Sequence, residues 1–573
     1  MRRGSLTGLA AGVAVAALVV YFFTGGFVLY VNMLAVAWAS APLAEAVLRG
    51  LLAAAALLYS LRAVAPLASF AARRLGAGNM ARLGFLLGLL FAAIPLVYVS
   101  TPASIVAALA AYLAYVGVVA GRGGLRGRLR PLLVLAIIAA ALMLISLYAP
   151  VAASHAVDVK ELGLPIDVNG LKRFIPLMTA YVYASDRIQS PTHRIYPGDS
   201  YVYYNGTHSV YNWIIEPEGL WNQLYRRPLG VVFVYGDQYP PVVRIVRRPL
   251  AWGLHVYRIR GLYIDTLRRE IVAAAGPMYK PVMEDNAEVL YRGRVYIIVP
   301  LLGWRRGLLY SLPVLAGYAV VDEQGHVEVL TPQQASKDPR LRGLPLLPEV
   351  AARRWAEIYR YHVGLLGVYM FHNTYVIRDV GTNPQPYLEQ GPGGSLYWVL
   401  VAEPAGHTFS VRYIIYVPAN TTSPRLLVYR LVVPAIGISK VGSYVKQAHP
   451  NFDWGELTIQ EPMPAVINGR LYWKVTVTTK DYRGLVSVDL VDAVTGQVYS
   501  LVPRHRVSYL DLLSVLLHGK PVQPLPQKPR SIEERITVLE EKINKTIEAL
   551  KEIQRELEAI KRAIASNRTI ARR

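Results

Sequence analysis

Cysteine is absent from all 573 residues, which excludes disulfides, thiolate metal sites and cysteine nucleophiles. Acid is almost absent from the first 150 residues, where Glu45 stands alone. The short signatures of common enzyme classes are missing too: there is no HExxH, no GxSxG, no P-loop and no dinucleotide fingerprint after a strand. No cofactor is therefore expected. Without disulfides the fold must rest on packing and hydrogen bonds.

The chain is strongly basic, at +23, with a mean hydropathy of +0.30. A nucleic-acid partner is not the reading this supports. Arg2, Arg3, Arg73, Arg74, Arg82, Arg122, Arg126, Arg128 and Arg130 flank long apolar runs, where retained positive charge marks the cytoplasmic side of a membrane. The join at residues 121–150 is the clearest case. Its second half is an uncharged run of the length a bilayer-spanning helix needs, preceded by four of those arginines. The chain is expected to leave the membrane outward near Pro150.

Runs at 6–31, 44–70, 83–100, 104–120 and 131–150 give an expected fold class. It is an α-helical membrane domain of about five transmembrane helices, an α+β extracellular region of repeated antiparallel-sheet modules, and a C-terminal coiled coil. The expected boundaries are 1–150 for the membrane domain and 151–287 for a membrane-proximal region. They continue with 288–506 for the modules, 507–530 for a helix and Pro-rich linker, and 531–573 for the coiled coil. Glu45 and Arg49 are one helical turn apart and are expected to pair. Arg62 lies at membrane depth, where an ionisable residue is costly and suspect. The absence of acids and histidines from the other runs argues against ion-coupled transport.

Beyond Pro150 the texture is short alternating strands and Pro/Gly turns. Glycosylation triplets occur at Asn205, Asn420, Asn544 and Asn567, all on the expected exterior side. An internal repeat is visible. YRGRVYIIVPL (291–301), GGSLYWVLVAE (393–403) and INGRLYWKVTV (467–477) each lead from a Gly-containing turn into an aromatic strand. The pairs are Tyr296 with Ile297, Tyr397 with Trp398, and Tyr472 with Trp473. Each is followed by another apolar strand closing on a turn; those at Asp322–Gly325 and Asp492–Gly496 have the residues tight reversals require. Amphipathic helices at 264–276, 348–366 and 507–518 are expected to cover these sheets. The stretch 199–213, rich in tyrosine, either stacks on glycans or packs; packing is the usual role of tyrosine in a β-rich body.

The last copy, INGRLYWKVTVTTKDYRGLVSVDLVDAVTGQV, resembles a PepSY-type module, which ends in a strand, VDA-x-TG and a final strand. The larger arrangement is similar to polytopic membrane proteins carrying several such modules outside the membrane. The first copy departs, with VVDEQGHV, and the second keeps only its strand pair. The resemblance implies an interaction or regulatory ectodomain and no catalytic residues.

Three local clusters invite a test. SYVK at Ser443–Lys446 has the spacing of a serine–lysine nucleophile, without its partner motifs. His449, Asp453 and Glu456 could gather around a metal, as could His362 and His372; lone histidines of this kind are usually structural. The loop 382–394 reads as an inter-module linker in preference to a partner-binding loop.

The C-terminal seam is the cleanest periodicity. Ile532, Ile536, Leu539, Ile543, Thr546, Leu550, Ile553, Leu557, Ile560 and Ile564 alternate four and three apart, giving a coiled coil roughly 50 Å long at 1.5 Å per residue. Ser531 with Glu534 forms a capping box before it, and the prolines of 519–530 make an extended spacer. The expected function is a non-enzymatic, membrane-anchored cell-surface scaffold or interaction module. Its expected partners are the lipid membrane and a second copy or an envelope protein met through the coiled coil. The alternative is an accessory subunit of a membrane enzyme, secretion or transport complex.

Overall fold

The computed structural model describes residues 26–56, 58–59, 105–106, 108–113 and 125–519, apart from 207, 261–262, 381–383, 407–408 and 504–505, together with 547, 551 and 554. The ten seam positions, Asn544, Asn567 and Arg62 lie outside the described residues, as do the runs expected at 83–100 and most of 6–31.

The expectation of a five-helix membrane domain is corrected here. Among the described residues only Arg130–Ser154 is long and apolar enough to cross a membrane. The apolar helix α1 (Gly26–Ser40) overlaps only the end of the run expected at 6–31, and beyond that run the chain packs on the sheet region. Asn32 is buried within α1, and its amide must be satisfied. It donates to the carbonyls of Pro277 and Tyr279, each at 2.8 Å. The Ser311 hydroxyl donates to Ala39 O and the Arg306 guanidinium to Ala41 O. Arg306 also lies 4.0 Å from the Trp38 ring centroid. The amides of Leu43 and Ala44 then donate to the carbonyls of Gly307 and Leu308. Residues 32–44 are thus stitched to the sheet region instead of standing apart from it. A helix follows over 43–56, in which Arg49 and Glu45 form the expected ion pair. Leu52, Ala56, Ala108, Ala111, Tyr112, Leu135 and Leu142 make a small apolar core of their own.

Helix α2 (Leu125–Ser154) contains Pro131 and Pro150. It turns directly into the strand Asp158–Leu162, which pairs in parallel with Arg425–Ile436. No linker separates helix from body.

The body is one supersecondary unit used four times: a helix, then a four-stranded antiparallel meander. Module 1 has α3 (Leu177–Ile188) and strands Tyr201–Asn205, His208–Pro217, Gly230–Tyr235 and Val243–Val246. Module 2 has α4 (Leu267–Ala275) and strands Ala287–Tyr291, Arg294–Arg306, Ser311–Val321 and Val327–Leu330. Module 3 has α5 (Glu349–Tyr359) and strands Tyr387–Gln390, Leu396–Pro404, Ser410–Pro418 and Arg425–Ile436. Module 4 has α6 (Ile438–Ala448) and strands Leu457–Ile467, Arg470–Thr479, Leu485–Asp492 and Val498–Leu501. Three copies are legible in the sequence; module 1 is a fourth. Its hairpin is the tyrosine-rich stretch 199–213, and Tyr201, Tyr203, Tyr204, Tyr211 and Trp213 are buried in it. Packing, not glycan stacking, is the role of those rings.

The first hairpins explain the repeated glycine. In modules 2 and 4 the turn residues Arg292–Gly293 and Asn468–Gly469 all have positive φ, the two-residue turn whose twist matches paired strands. The last turns are closed by aspartate. Asp322 accepts the amide of His326, and Asp492 those of Val494 and Thr495.

One joint recurs. Early in the strand that follows the first-hairpin turn, at its fourth residue in modules 1 and 4 and its third in module 3, Tyr211, Trp473 and Trp398 point inward, each with a polar tip. Tyr211 donates to Ile175 O at 2.7 Å, Trp398 to Leu347 O at 2.8 Å and Trp473 to Ile436 O at 2.8 Å. Each acceptor lies two residues before the start of that module's helix. The buried ring thereby ties sheet to helix entry, and its N–H or O–H satisfies a carbonyl that water cannot reach. Module 2 has Ile297 at this place and lacks the bond.

The modules share cores in sequence: modules 1 and 2 around Ile214, Phe233, Ile297 and Val299, and modules 2 and 3 around Leu312, Trp355 and Trp398. Modules 1 and 4 meet around Trp213, Val232, Val488 and Leu490, where Leu512 of α7 (Tyr509–His518) also inserts. Modules 3 and 4 meet where Ile436 N donates to Ala493 O. The contacts close on themselves.

Candidate functional site

Where the modules converge, the interior is polar. Segment 170–177 (GLKRFIPL) threads between modules 1, 3 and 4, so closely that a Cβ at Gly170 would stand 2.5 Å from Pro464 O. It brings in Arg173, which is 5% exposed. The Arg173 guanidinium donates to the Tyr211 hydroxyl at 3.1 Å and faces the Glu461 carboxylate at 3.4 Å. Burial opposes its charge, and Tyr211 and Glu461 outweigh that, holding it above the ordinary arginine value.

Glu461 is delivered by a backbone device. The register of Leu457–Ile467 against Arg470–Thr479 shifts between Gln460 and Met463, and Glu461 there has φ of 40°. A β-bulge re-aims a side chain in this way. Its second oxygen accepts the amide of Leu177 at 2.8 Å, the first residue of α3, where orphan N–H groups and the helix dipole favour an anion.

Lys474 enters from the neighbouring strand and is fully buried. Its ammonium donates to Arg173 O at 2.7 Å, and the Thr476 hydroxyl to Phe174 O at 2.8 Å. Burial pushes the Lys474 amine down to about 8, against the pull of Glu461. Glu389 of module 3 is likewise buried, and neither carboxyl oxygen has a hydrogen-bond partner. Burial raises it well above the carboxylate range, against the pull of Lys474 and Arg173, because desolvation penalises the charged form.

Beside this cluster is a cavity of about 60 Å³ lined by Arg173, Tyr201, Tyr211, Glu349, Leu388 and Trp398. Glu349 faces it, and Asp285 of module 2 accepts the amides of Glu349 and Val350 at the start of α5. Burial, then the nearby Asp285, pushes Glu349 up to about 8; burial pushes Asp285 up to about 7. Two buried carboxyls that act on each other cannot both ionise cheaply, so their protonation is coupled. Substrate pockets typically run to roughly 300 Å³ and more, so this space suits a water or two. The arrangement can fix four modules in register; it does not offer a substrate a place.

The sites singled out from sequence are placed elsewhere. Ser443 donates to Lys440 O of its own helix. His449 stacks on Phe452 at 4.4 Å, while Asp453 accepts the Gly455 amide. His362 stacks on Tyr359 and bonds its carbonyl; His372 is exposed, with φ of 49°. Among the described residues no three His, Asp or Glu side chains gather as a metal requires. Asn205, at the end of its strand, and Asn420, in a turn, are both exposed. Arg173, Glu389, Glu461 and Lys474 were not picked out from the sequence; the available signal was a lysine amid the inward-facing residues of LYWKVTV.

A second polar region lies at the junction of α1, α2 and α5. A cavity of about 450 Å³ is lined by Glu45, Arg49, Ser146, Pro150 and Arg354. A cavity of about 350 Å³ is lined by Val36, Lys280, Trp304, Pro313 and Arg354. They share Ser40 and Arg354.

No family model, no characterised protein and no solved structure matches the chain.

Proposed function

We propose that this chain is a membrane-anchored surface protein whose four-module body is a rigid interaction scaffold, brought together with a second copy or an envelope partner by the C-terminal seam. The observation that carries it is the junction of α2 with the body. Leu133, Ile137, Met143 and Leu144 of that helix are each exposed by 60% or more, an apolar surface that water does not tolerate at that density. Beside the same helix packs the short helix Gly364–Tyr369. Leu366, Tyr369, Met370 and Phe371 there are 56–71% exposed. Apolar and tyrosine side chains next to a spanning helix suit the bilayer surface. With strand Asp158–Leu162 following almost at once, the body rests on the membrane and cannot swing from it. The buried polar hub supports a structural reading of the interior, and the PepSY-like ending of module 4 agrees with an interaction role.

The test is membrane fractionation with alkaline washing, followed by the native mass of the detergent-purified chain. Retention in the membrane and a multiple of the 63.4 kDa chain mass are expected. Ile543→Asp with Leu550→Asp should reduce that mass to one chain. Release by the wash overturns the anchor, and a mass unchanged by the double substitution overturns the seam.

A further inference from the structure

We infer that the paired cavities at the junction of α1, α2 and α5 hold the phosphate head of an acidic membrane lipid. The inference rests on the membrane reading above and names a ligand for that surface. Four cations and two acids line the two cavities: Arg49, Lys280, Arg353 and Arg354 against Glu45 and Glu357. Their pairing is uneven. Arg49 is taken by Glu45. Arg353 is held by Asp379 at 2.8 Å and Glu357 at 2.9 Å. Arg354 has only Glu357, at 3.8 Å, and its side chain is 56% exposed. Among the described residues no hydrogen bond or salt bridge ties the Lys280 ammonium. The positive excess therefore falls on Lys280 and Arg354, both of which line the cavity of about 350 Å³.

The remaining wall is apolar. Val36, Leu302, Trp304, Pro313 and Val350 supply it, and Val36 belongs to apolar α1. Two cations without a close ion-pair partner, beside an apolar wall, match a molecule with an anionic head and a hydrocarbon body. The position matches too. Ser146, Ala149 and Pro150, at the body end of α2, line the adjoining cavity, which is the level of lipid headgroups when that helix spans. Lys and Arg clustered beside a spanning helix at headgroup level attract lipid phosphate, and each cavity is of ligand size.

The experiment is native mass spectrometry of the full-length chain, released from nanodiscs of zwitterionic lipid doped with phosphatidylglycerol. One retained phosphatidylglycerol per chain is expected. Lys280→Gln with Arg354→Gln should lower the lipid's affinity roughly thirtyfold, the loss expected from two surface cations. The control pair Arg226→Gln with Lys337→Gln, on exposed cations elsewhere, should leave it unchanged. Equal retention by the cavity variant and the wild type overturns the proposal. Displacement of the lipid by inorganic phosphate alone also overturns it, by assigning the cavity to a free anion. Fractionation of the same preparations separates the two claims: a wild-type chain that leaves the membrane on alkaline washing defeats the anchor, whereas an anchored chain with an indifferent cavity variant defeats only the lipid site.

Discussion

Replacing Trp473 by phenylalanine and by tyrosine separates two contributions to the recurring joint. Trp473 is completely buried and its indole N–H reaches Ile436 O at 2.8 Å. Phenylalanine keeps an aromatic ring but removes the donor, leaving a buried carbonyl short of a partner, which costs about 1–3 kcal/mol. The missing ring atoms add a cavity contribution of about 1 kcal/mol. The total for Trp473→Phe is therefore roughly 2–4 kcal/mol. Tyr211 occupies the equivalent place in module 1 and makes the equivalent bond through its hydroxyl, at 2.7 Å to Ile175 O. Trp473→Tyr should recover part of the loss, by about 1 kcal/mol, because a donor is restored while the cavity remains. The assay is hydrogen exchange of the full-length chain in detergent, read on strand 470–479 and helix 438–448. Local opening energies are meaningful there even when global unfolding is not two-state. Equal exchange in the tyrosine and phenylalanine variants would show that ring volume alone holds module 4 to its helix, and would refute the joint.

The Glu349 carboxyl is pushed up to about 8 by burial and the nearby Asp285. A raised folded-state value means that its stabilisation is complete below the unfolded value of about 4.5 and is lost as pH rises through about 8. Glu349→Gln should match the wild type near pH 4.5 and exceed it by roughly 3 kcal/mol at pH 9, less than the full linkage because Asp285 shares the proton; equal denaturant midpoints at pH 9 would contradict this. At Gly343 a Cβ would stand 1.9 Å from Tyr204 O, whereas at Gly469 it would meet nothing within 4 Å. Gly469→Ala should cost only the strain of positive φ, about 1 kcal/mol. Gly343→Ala should cost at least twice that, since backbone must move; comparable melting temperatures for the two would argue against the close approach. Lys474→Met removes a buried ammonium but orphans Arg173 O, so a loss of about 1–3 kcal/mol is expected at pH 7. A stabilised variant would mean that desolvation of the ammonium dominates the hub.

The sequence by itself determined the repeating unit, because its signals are local. Asn468–Gly469 and Arg292–Gly293 specify their turns through backbone conformation, and Asp322 and Asp492 close theirs within a few residues. The Glu45–Arg49 pair was legible for the same reason, as one helical turn sets it. The uncharged run after Arg130 identifies α2, since composition and length suffice. Module 1 escaped notice because its tyrosines read as packing, but what they pack against is not visible until the partner strands are in place. The docking of residues 32–44, which lie between two expected spans, was not legible, because an apolar stretch looks the same in lipid or against a sheet; the bonds of Asn32 to Pro277 and Tyr279 show the sheet side, and they span some 245 residues. The hub is the extreme case. Arg173, Glu389, Glu461 and Lys474 are far apart in the chain, and each alone would be read as a solvated charge. Only the closure of four modules removes water from all of them at once, and that desolvation is what turns ordinary charges into a fixed, mutually dependent cluster.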